Sequence, residues 1–338
     1  MPGAHDVLAR RLRWQSRGCA GLGSPFYAQL LESAALDVEA AGPAWDLLEG
    51  FVREPAESAI ALRLMAVVHR HVFEGRLPEL AVHYPSAGGD GDAQAAWPWF
   101  LKALVENREL YRGLLTGGCQ TNEVGRCAAL LGGFLEVAHR THRPLRILEV
   151  GASGGLNLNW DRYRYESSAG AWGDARSPVR FDHSFEVPPE MDRAALVVER
   201  RGCDLNPIDP SSIEGALTLR SFVWADQLSR LALLDGAIEV ARDAPVEVAK
   251  AGAADFLESE LARPRPAVAT VVYHSVFLQY VAAQEQERMR HAIDEAGVFH
   301  LAMEPNYPLF EVRLNGELLG TSFAHGSGVR WNVDSTPQ

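Results

Sequence analysis

Ile147–Asn157 reads ILEVGASGGLN, a short apolar run, then a turn of small residues, then the start of a helix. An apolar run closed by glycine is what a parallel strand buried on both faces looks like in sequence. The small residues Gly151, Ser153 and Gly155 let the backbone approach a ligand closely, and a helix start behind such a turn offers unbonded N–H groups. This stretch decides the fold, because the chain changes character just before it, at Pro144.

Downstream the apolar runs recur: Ala195–Glu199, Val246–Ala249, Ala267–Tyr273 and Val298–Ala302. Helix-length segments separate most of them, and strands alternating with helices predict a parallel sheet covered on both faces. The chain then closes with Leu309–Leu314, Asn315-Gly316 and Glu317–Phe323, where Asn-Gly between two apolar runs predicts a two-residue hairpin. An insertion at about 162–194, rich in Tyr, Gly and Pro in its first part, separates the first two strands and suits an extra hairpin.

Upstream, residues 1–143 read as helix after helix. Ile60, Leu64, Val67, Val68 and His71 fall at helical spacing within Pro55–Gly75. Ser24-Pro25 opens another helix with proline at the first helical position. Trp97–Leu115 and Asn122–His139 are two more. The resulting expectation is an α/β protein: an all-α domain over 1–143, then a mostly parallel, Rossmann-like sheet with a C-terminal antiparallel hairpin over 144–338. With 338 residues, two domains is the expected number.

Composition narrows the function classes. A net charge of −12 argues against a surface that tracks nucleic-acid phosphates, leaving a small-molecule or protein partner. No apolar run reaches the roughly 18 residues that span a membrane, and the polar, basic N-terminus MPGAHDVLARRLRW has no signal-peptide core, so a cytoplasmic protein is expected. The four cysteines lack metal-ligand spacing and read as reduced thiols. No metal site is expected: His69 and His71 point to different helix faces, while His139 and His142 sit among arginines at a helix end.

Three site types share the strand–turn–helix shape. A dinucleotide fingerprint wants glycine at the first, third and sixth positions, which here hold Gly151, Ser153 and Leu156, so NAD or FAD is disfavoured. A nucleophile elbow, G-x-S-x-G, matches Gly151, Ser153 and Gly155, with Asp255 or Asp294 and then His325 completing a Ser, Asp, His order. Against it, an elbow normally follows several strands, and here a helical half precedes the turn.

The third type resembles the turn of class I S-adenosylmethionine (SAM) methyltransferases. There an acid, here Glu149, closes the strand before a G-x-G-x-G turn and accepts hydrogen bonds from the ligand's ammonium group. The resemblance implies further roles. In ALVVERRGCDLNP (Ala195–Pro207), Asp204 would hold the ribose hydroxyls, with Glu199 as the other acid available. In VEVAKAGAADF (Val246–Phe256), Ala253 stands where an acid is usual, and Asp255 would substitute on the adenine side. In ATVVYHSVFLQYV (Ala269–Val281), the strand end carries Tyr273, whose ring could face the sulfonium, and His274, a candidate base. SAM is the implied cofactor, and Glu149, Gly151, Ser153, Gly155, Asp204 and Asp255 its implied contacts.

Along nearly its whole length the chain also resembles the DUF2332 family of bacterial proteins. The segments that carry this are SPFYAQL (Ser24–Leu30), RLMAVVH (Arg63–His69), YPSAGG (Tyr84–Gly89), QTNEVGR (Gln120–Arg126), VGASGGLNLNWDRY (Val150–Tyr163), RRGCDLNPIDP (Arg200–Pro210), VWADQ (Val223–Gln227) and His325-Gly326. The family brings no activity with it. QTNEVGR opens the helix before the first strand without a capping-box pattern. Asn122, Glu123 and Arg126, together with His325, are therefore expected to line the cleft and contact cofactor or acceptor. A methyltransferase is the leading expectation, with a non-catalytic ligand sensor or partner platform, and a serine hydrolase using Ser153, as rivals.

Overall fold

The computed structural model describes residues 3–55 and 58–331. The chain divides into two compact units, Met1–Thr121 with Ala216–Ala232, and Asn122–Gly215 with Leu233–Gln338.

The first unit is helical: α1 (Ala4–Gly21), α2 (Pro25–Glu39), α3 (Pro43–Leu48), α4 (Ile60–Phe73), α5 (Pro78–Ala81), α6 (Ala93–Glu106) and α7 (Arg108–Leu114). Proline stands in the first turn of α2, α3 and α5, where its missing N–H has no intrahelical partner to lose. The one helix expected across Trp97–Leu115 is two, meeting at Asn107. Helix α4 starts at Ile60 rather than near Pro55, and residues 56 and 57 lie outside the described ones. Trp224 and Ala225, far along the chain, complete this unit's core beside Tyr27, Leu30 and Leu64. Asp226 there accepts hydrogen bonds from the Ser24 hydroxyl and, at 3.0 Å, from the Phe26 N–H at the start of α2.

The second unit is α/β. Helix α8 (Arg126–Thr141) leads into β1 (Leu145–Val150), whose six residues are all buried. The remaining strands are β2 (Arg164–Ser167), β3 (Gly170–Trp172), β4 (Arg180–Phe181), β5 (Phe185–Val187), β6 (Val197–Asp204), β7 (Glu247–Lys250), β8 (Ala269–Ser275), β9 (Phe299–Asn306), β10 (Leu309–Leu314), β11 (Glu317–Ser322) and β12 (Val329–Trp331). Helices α11 (Ala253–Leu261) and α12 (Ala283–Ala296) belong to this unit, as does most of α10 (Leu228–Asp243), whereas most of α9 (Ile213–Ser221) and the first residues of α10 belong to the first unit. Nine strands form one mostly parallel sheet in the order β5-β12-β11-β10-β9-β8-β1-β6-β7. The expected hairpin is β10–β11, with Leu314 paired to Glu317, and both turn residues are left-handed (φ 50° at Asn315, 82° at Gly316), as a two-residue hairpin of this kind requires.

The insertion makes a separate three-stranded sheet, β3-β2-β4, and then sends β5 to the far edge of the large one. Successive β1 side chains go to opposite faces. Leu148 and Val150 join the core under α11 and α12, with Phe256, Leu257, Met289 and Ile293. On the other face, Phe134 of α8 meets the Tyr273 ring edge-on, centroids 5.1 Å apart. Among the described residues no helix is long and apolar enough to cross a membrane.

Candidate functional site

From β1 the chain runs to β6 and β7 on one side, then to β8 and β9 on the other. Strand order therefore reverses beside β1, and open α/β sheets bind ligands at the carboxyl ends of strands at such a point. The turn lies there. Gly151, Ser153 and Gly155 all have left-handed backbones (φ 71°, 51° and 70°). Ser153 thus adopts the conformation that a glycine would take with least strain.

The turn's amides are not left open. Ala152 N–H donates to Cys203 O (2.9 Å), Ser153 N–H to Asp204 Oδ2 (2.9 Å) and Gly155 N–H to Ala152 O (2.7 Å). The Gly154 and Leu156 N–H groups both donate to Asn122 Oδ1, at 3.2 and 3.1 Å. A 3-10 helix, Leu156–Arg162, follows in place of an α-helix. The free helix-start amides expected from sequence are thus held by Asn122, which precedes α8 and reaches across to the turn. Asn122 therefore does not share a helix face with Arg126.

Asp204 ends β6 next to the turn, half-buried, with Oδ2 on Ser153 N–H and Oδ1 on Asn206 N–H (2.8 Å). Glu199 sits back along β6, paired with Arg146 at 2.9 Å. Asp255 is exposed on α11 and pairs with Arg288 at 2.7 Å. The carboxylate at this loop is instead Glu285 of α12, which accepts the Ala254 N–H at 2.9 Å.

Glu149 is buried, 3% exposed, and accepts the Tyr273 hydroxyl at 3.0 Å. Its odd position on β1 turns it toward the α8 face rather than outward. Burial pushes its carboxyl up to about 8, offset in part by the Tyr273 bond and the charge of Arg126. Tyr273 is fully buried between Glu149 and Phe134, so its ring does not face the crevice. His274 is also fully buried, Nδ1 on Glu304 Oε1 (2.7 Å) and Nε2 on His300 Nε2 (2.9 Å). Burial, with His274 beside it, pulls His300 down to about 3. The imidazole expected as a base therefore ties β8 to β9.

Glu123 is buried and accepts the Gly125 N–H at 3.2 Å. Arg126 donates to two carbonyls, Ser275 O (3.1 Å) and Ala324 O (3.2 Å). A Cβ on Gly125 would lie 2.1 Å from His325 O, and one on Gly326 2.0 Å from Gly125 O, so only glycine pairs allow these two loops to touch. Arg126 thus ties the end of β8 to the Ala324 loop, Glu123 bonds within its own turn, and the His325 backbone lies against Gly125. The serine-hydrolase constellation is not gathered: Asp255 is with Arg288, and Asp294 is exposed on α12. Among the described residues no three His, Cys, Asp or Glu side chains are placed to hold a metal.

Sequence reasoning missed Phe277, Glu304 and His300. Phe277 lies just beyond β8 with its ring against Gly151, where a Cβ would be 2.3 Å from Phe277 Cδ2. Glu304 Oε1 receives the Phe277 and Leu278 N–H groups (2.9 and 3.2 Å) besides His274. An acid just past the apolar run Val298–Ala302 is the available signal.

A family model described as an uncharacterized protein conserved in bacteria (DUF2332) matches residues 9–334. The chain belongs to the DUF2332 family. No curated protein and no solved structure matches it. In this DUF2332 chain, Asn122–Arg126 of QTNEVGR, VGASGGLN, RRGCDLNP and His325-Gly326 come together around the end of β1. SPFYAQL, RLMAVVH, YPSAGG and VWADQ meet within the helical unit. There His69 bonds Tyr27 (3.1 Å), Ser86 (2.7 Å) and the Ser221 carbonyl (3.2 Å), while Asp226 holds Ser24.

Proposed function

We propose that this DUF2332 chain binds S-adenosylmethionine at the carboxyl ends of β1 and β6 and methylates a small-molecule or protein acceptor. The observation that carries this is Asp204. Its carboxylate ends the strand next to β1, half-exposed, and two backbone N–H groups fix its orientation. A carboxylate has lone pairs beyond those two bonds, enough to accept from a ribose diol. Beside it the turn is left-handed at Gly151, Ser153 and Gly155, with Phe277 packed on Gly151 and Val246 and Val248 packed on Gly155.

The residues fit such a ligand at Asp204 and do not fit it at Asp255, which pairs with Arg288. Glu149, turned to Tyr273, supports the turn from beneath rather than reaching the ligand's ammonium group. When bound, the cofactor supplies an electrophilic methyl carbon. The chain's own part is to orient it: Asp204 fixes the ribose end, and Asn122 keeps the turn in shape. Alignment alone supplies much of the acceleration in a direct displacement, which suits a site whose expected base, His274, is fully buried.

That buried imidazole also favours a second reading, a non-catalytic sensor or partner platform that binds the same ligand. Calorimetry with SAM tests the shared part: saturable heat in the wild type, and at least about tenfold weaker binding in Asp204→Ala, as expected for a lost charge-assisted hydrogen bond. Absence of binding and of any thermal shift overturns both readings. Transfer of labelled methyl groups to components of a cell extract separates enzyme from sensor. Covalent labelling of Ser153 by a fluorophosphonate probe would make the chain a serine hydrolase instead.

A further inference from the structure

The end of β8 is built with unusual effort for a loop. Val276 has φ 52°, a left-handed backbone that a β-branched residue adopts only under strain. Its N–H is held by Met303 O at 2.8 Å. The next two N–H groups, of Phe277 and Leu278, both donate to Glu304 Oε1. Gln286 then clamps the Leu278 and Val281 carbonyls, each at 2.9 Å.

The effect of this bracing is to plant one side chain. The Phe277 ring lies on Gly151, Cδ2, Cε2 and Cγ being 2.3, 2.7 and 3.1 Å from where a Cβ would stand. Any residue but glycine at 151 would displace it. The ring packs on its inner side with the core under α11 and α12, yet the residue remains only partly buried. Backbone strain that the surroundings enforce is a mark of functional sites, and this strain sits where the strand order reverses.

We infer that Phe277 is the ligand's sulfonium contact, the part of its ring left outside the core receiving the cationic centre beside Gly151. The inference rests on the reading that SAM binds at this turn. An aromatic face attracts a cation through the ring quadrupole. The sequence suggested Tyr273 for that role, but Tyr273 is fully buried beneath the turn and Phe277 is not. The Glu304 carboxylate, which accepts the Phe277 amide, adds negative charge to this loop. The pairing therefore discriminates by charge: it favours the sulfonium over the neutral thioether that remains once the methyl group is gone.

Calorimetry on the full-length protein with SAM and with S-adenosylhomocysteine tests this. Phe277→Leu keeps an apolar side chain but has no ring, and Phe277→Tyr keeps the ring. In the leucine variant SAM should bind between about twofold and thirtyfold more weakly, with the thioether unchanged. In the tyrosine variant both affinities should stay close to wild type. Equal weakening of the two ligands in Phe277→Leu, or no weakening, overturns the role of Phe277 while leaving the site reading intact. A wild-type protein that binds neither ligand overturns the site reading itself.

Discussion

Asn122 has one oxygen and two amides to hold with it. Removing that oxygen in Asn122→Ala leaves the Gly154 and Leu156 N–H groups, both on buried residues, without their acceptor. An unsatisfied buried donor costs about 1–3 kcal/mol, so urea unfolding should show a loss of about that size for each of the two, and Asn122→Asp, which keeps an acceptor, should recover most of it. Glu149 titrates in the opposite sense to an ordinary surface acid. Its folded-state carboxyl lies at about 8, above its usual 4.5. The folded state therefore holds the proton more tightly than the unfolded chain: this contribution to stability is fully present below about 4.5 and lost as pH rises through about 8. Relative to Glu149→Gln, wild-type melting temperature should fall between pH 5 and pH 9. His69 and His300, both drawn down to about 3 by burial, act oppositely, stabilising above 6.5 and losing that as pH falls. They are common to both proteins and cancel in the comparison. At this scale sequence located the acids but not their aim. Glu149 stands where the turn pattern puts it, yet the face it points to is set by α8, and Asp255 is claimed by Arg288 from a helix far along the chain.

Elements were legible wherever their cues are local. The alternation of apolar runs and helices after Pro144 yields the parallel strands β1, β6, β7, β8 and β9, and Asn315-Gly316 yields its hairpin. Boundaries moved where polar residues are paired within a strand. Strand β6 continues past Glu199 to Asp204 because Arg200 is neutralised by Asp161 (2.7 Å) and Arg201 by Glu260 (2.7 Å). Those ion pairs cannot be read from spacing, since their partners lie dozens of residues away. The hairpin itself makes a sharp test. Gly316 has φ 82°, so Gly316→Ala forces an L-residue into the left-handed region at a cost of about 1–2 kcal/mol. Denaturant unfolding should show that loss, and the same substitution at Gly113, inside α7 with open space at its Cβ position, should show none or a small gain.

At the scale of the whole molecule, membership in a unit is decided by packing across long sequence distances, and this is what the sequence withheld. The change of pattern at Pro144 suggests a boundary there, yet α8 packs on the large sheet, and residues 216–232 belong with the helices of 1–121. VWADQ shows why. Trp224 and Ala225 are buried in the helical core, the Gln227 amide donates to the Leu22 and Gly23 carbonyls (3.1 and 2.9 Å), and Asp226 accepts the Phe26 N–H and Ser24 hydroxyl at the start of α2. Asp226 does for α2 what a local cap does for other helices, from 200 residues away. Asp226→Ala should then cost about as much as a lost N-cap, roughly 0.5–2 kcal/mol, and the loss should appear where the bond is made. Amide hydrogen exchange would read it: protection should fall first along Pro25–Glu39, with β1 and β6 holding theirs until global unfolding. Uniform loss across β1 and β6 as well would mean that the segment stabilises the chain as one cooperative block, and that Asp226 is not a cap for α2 alone.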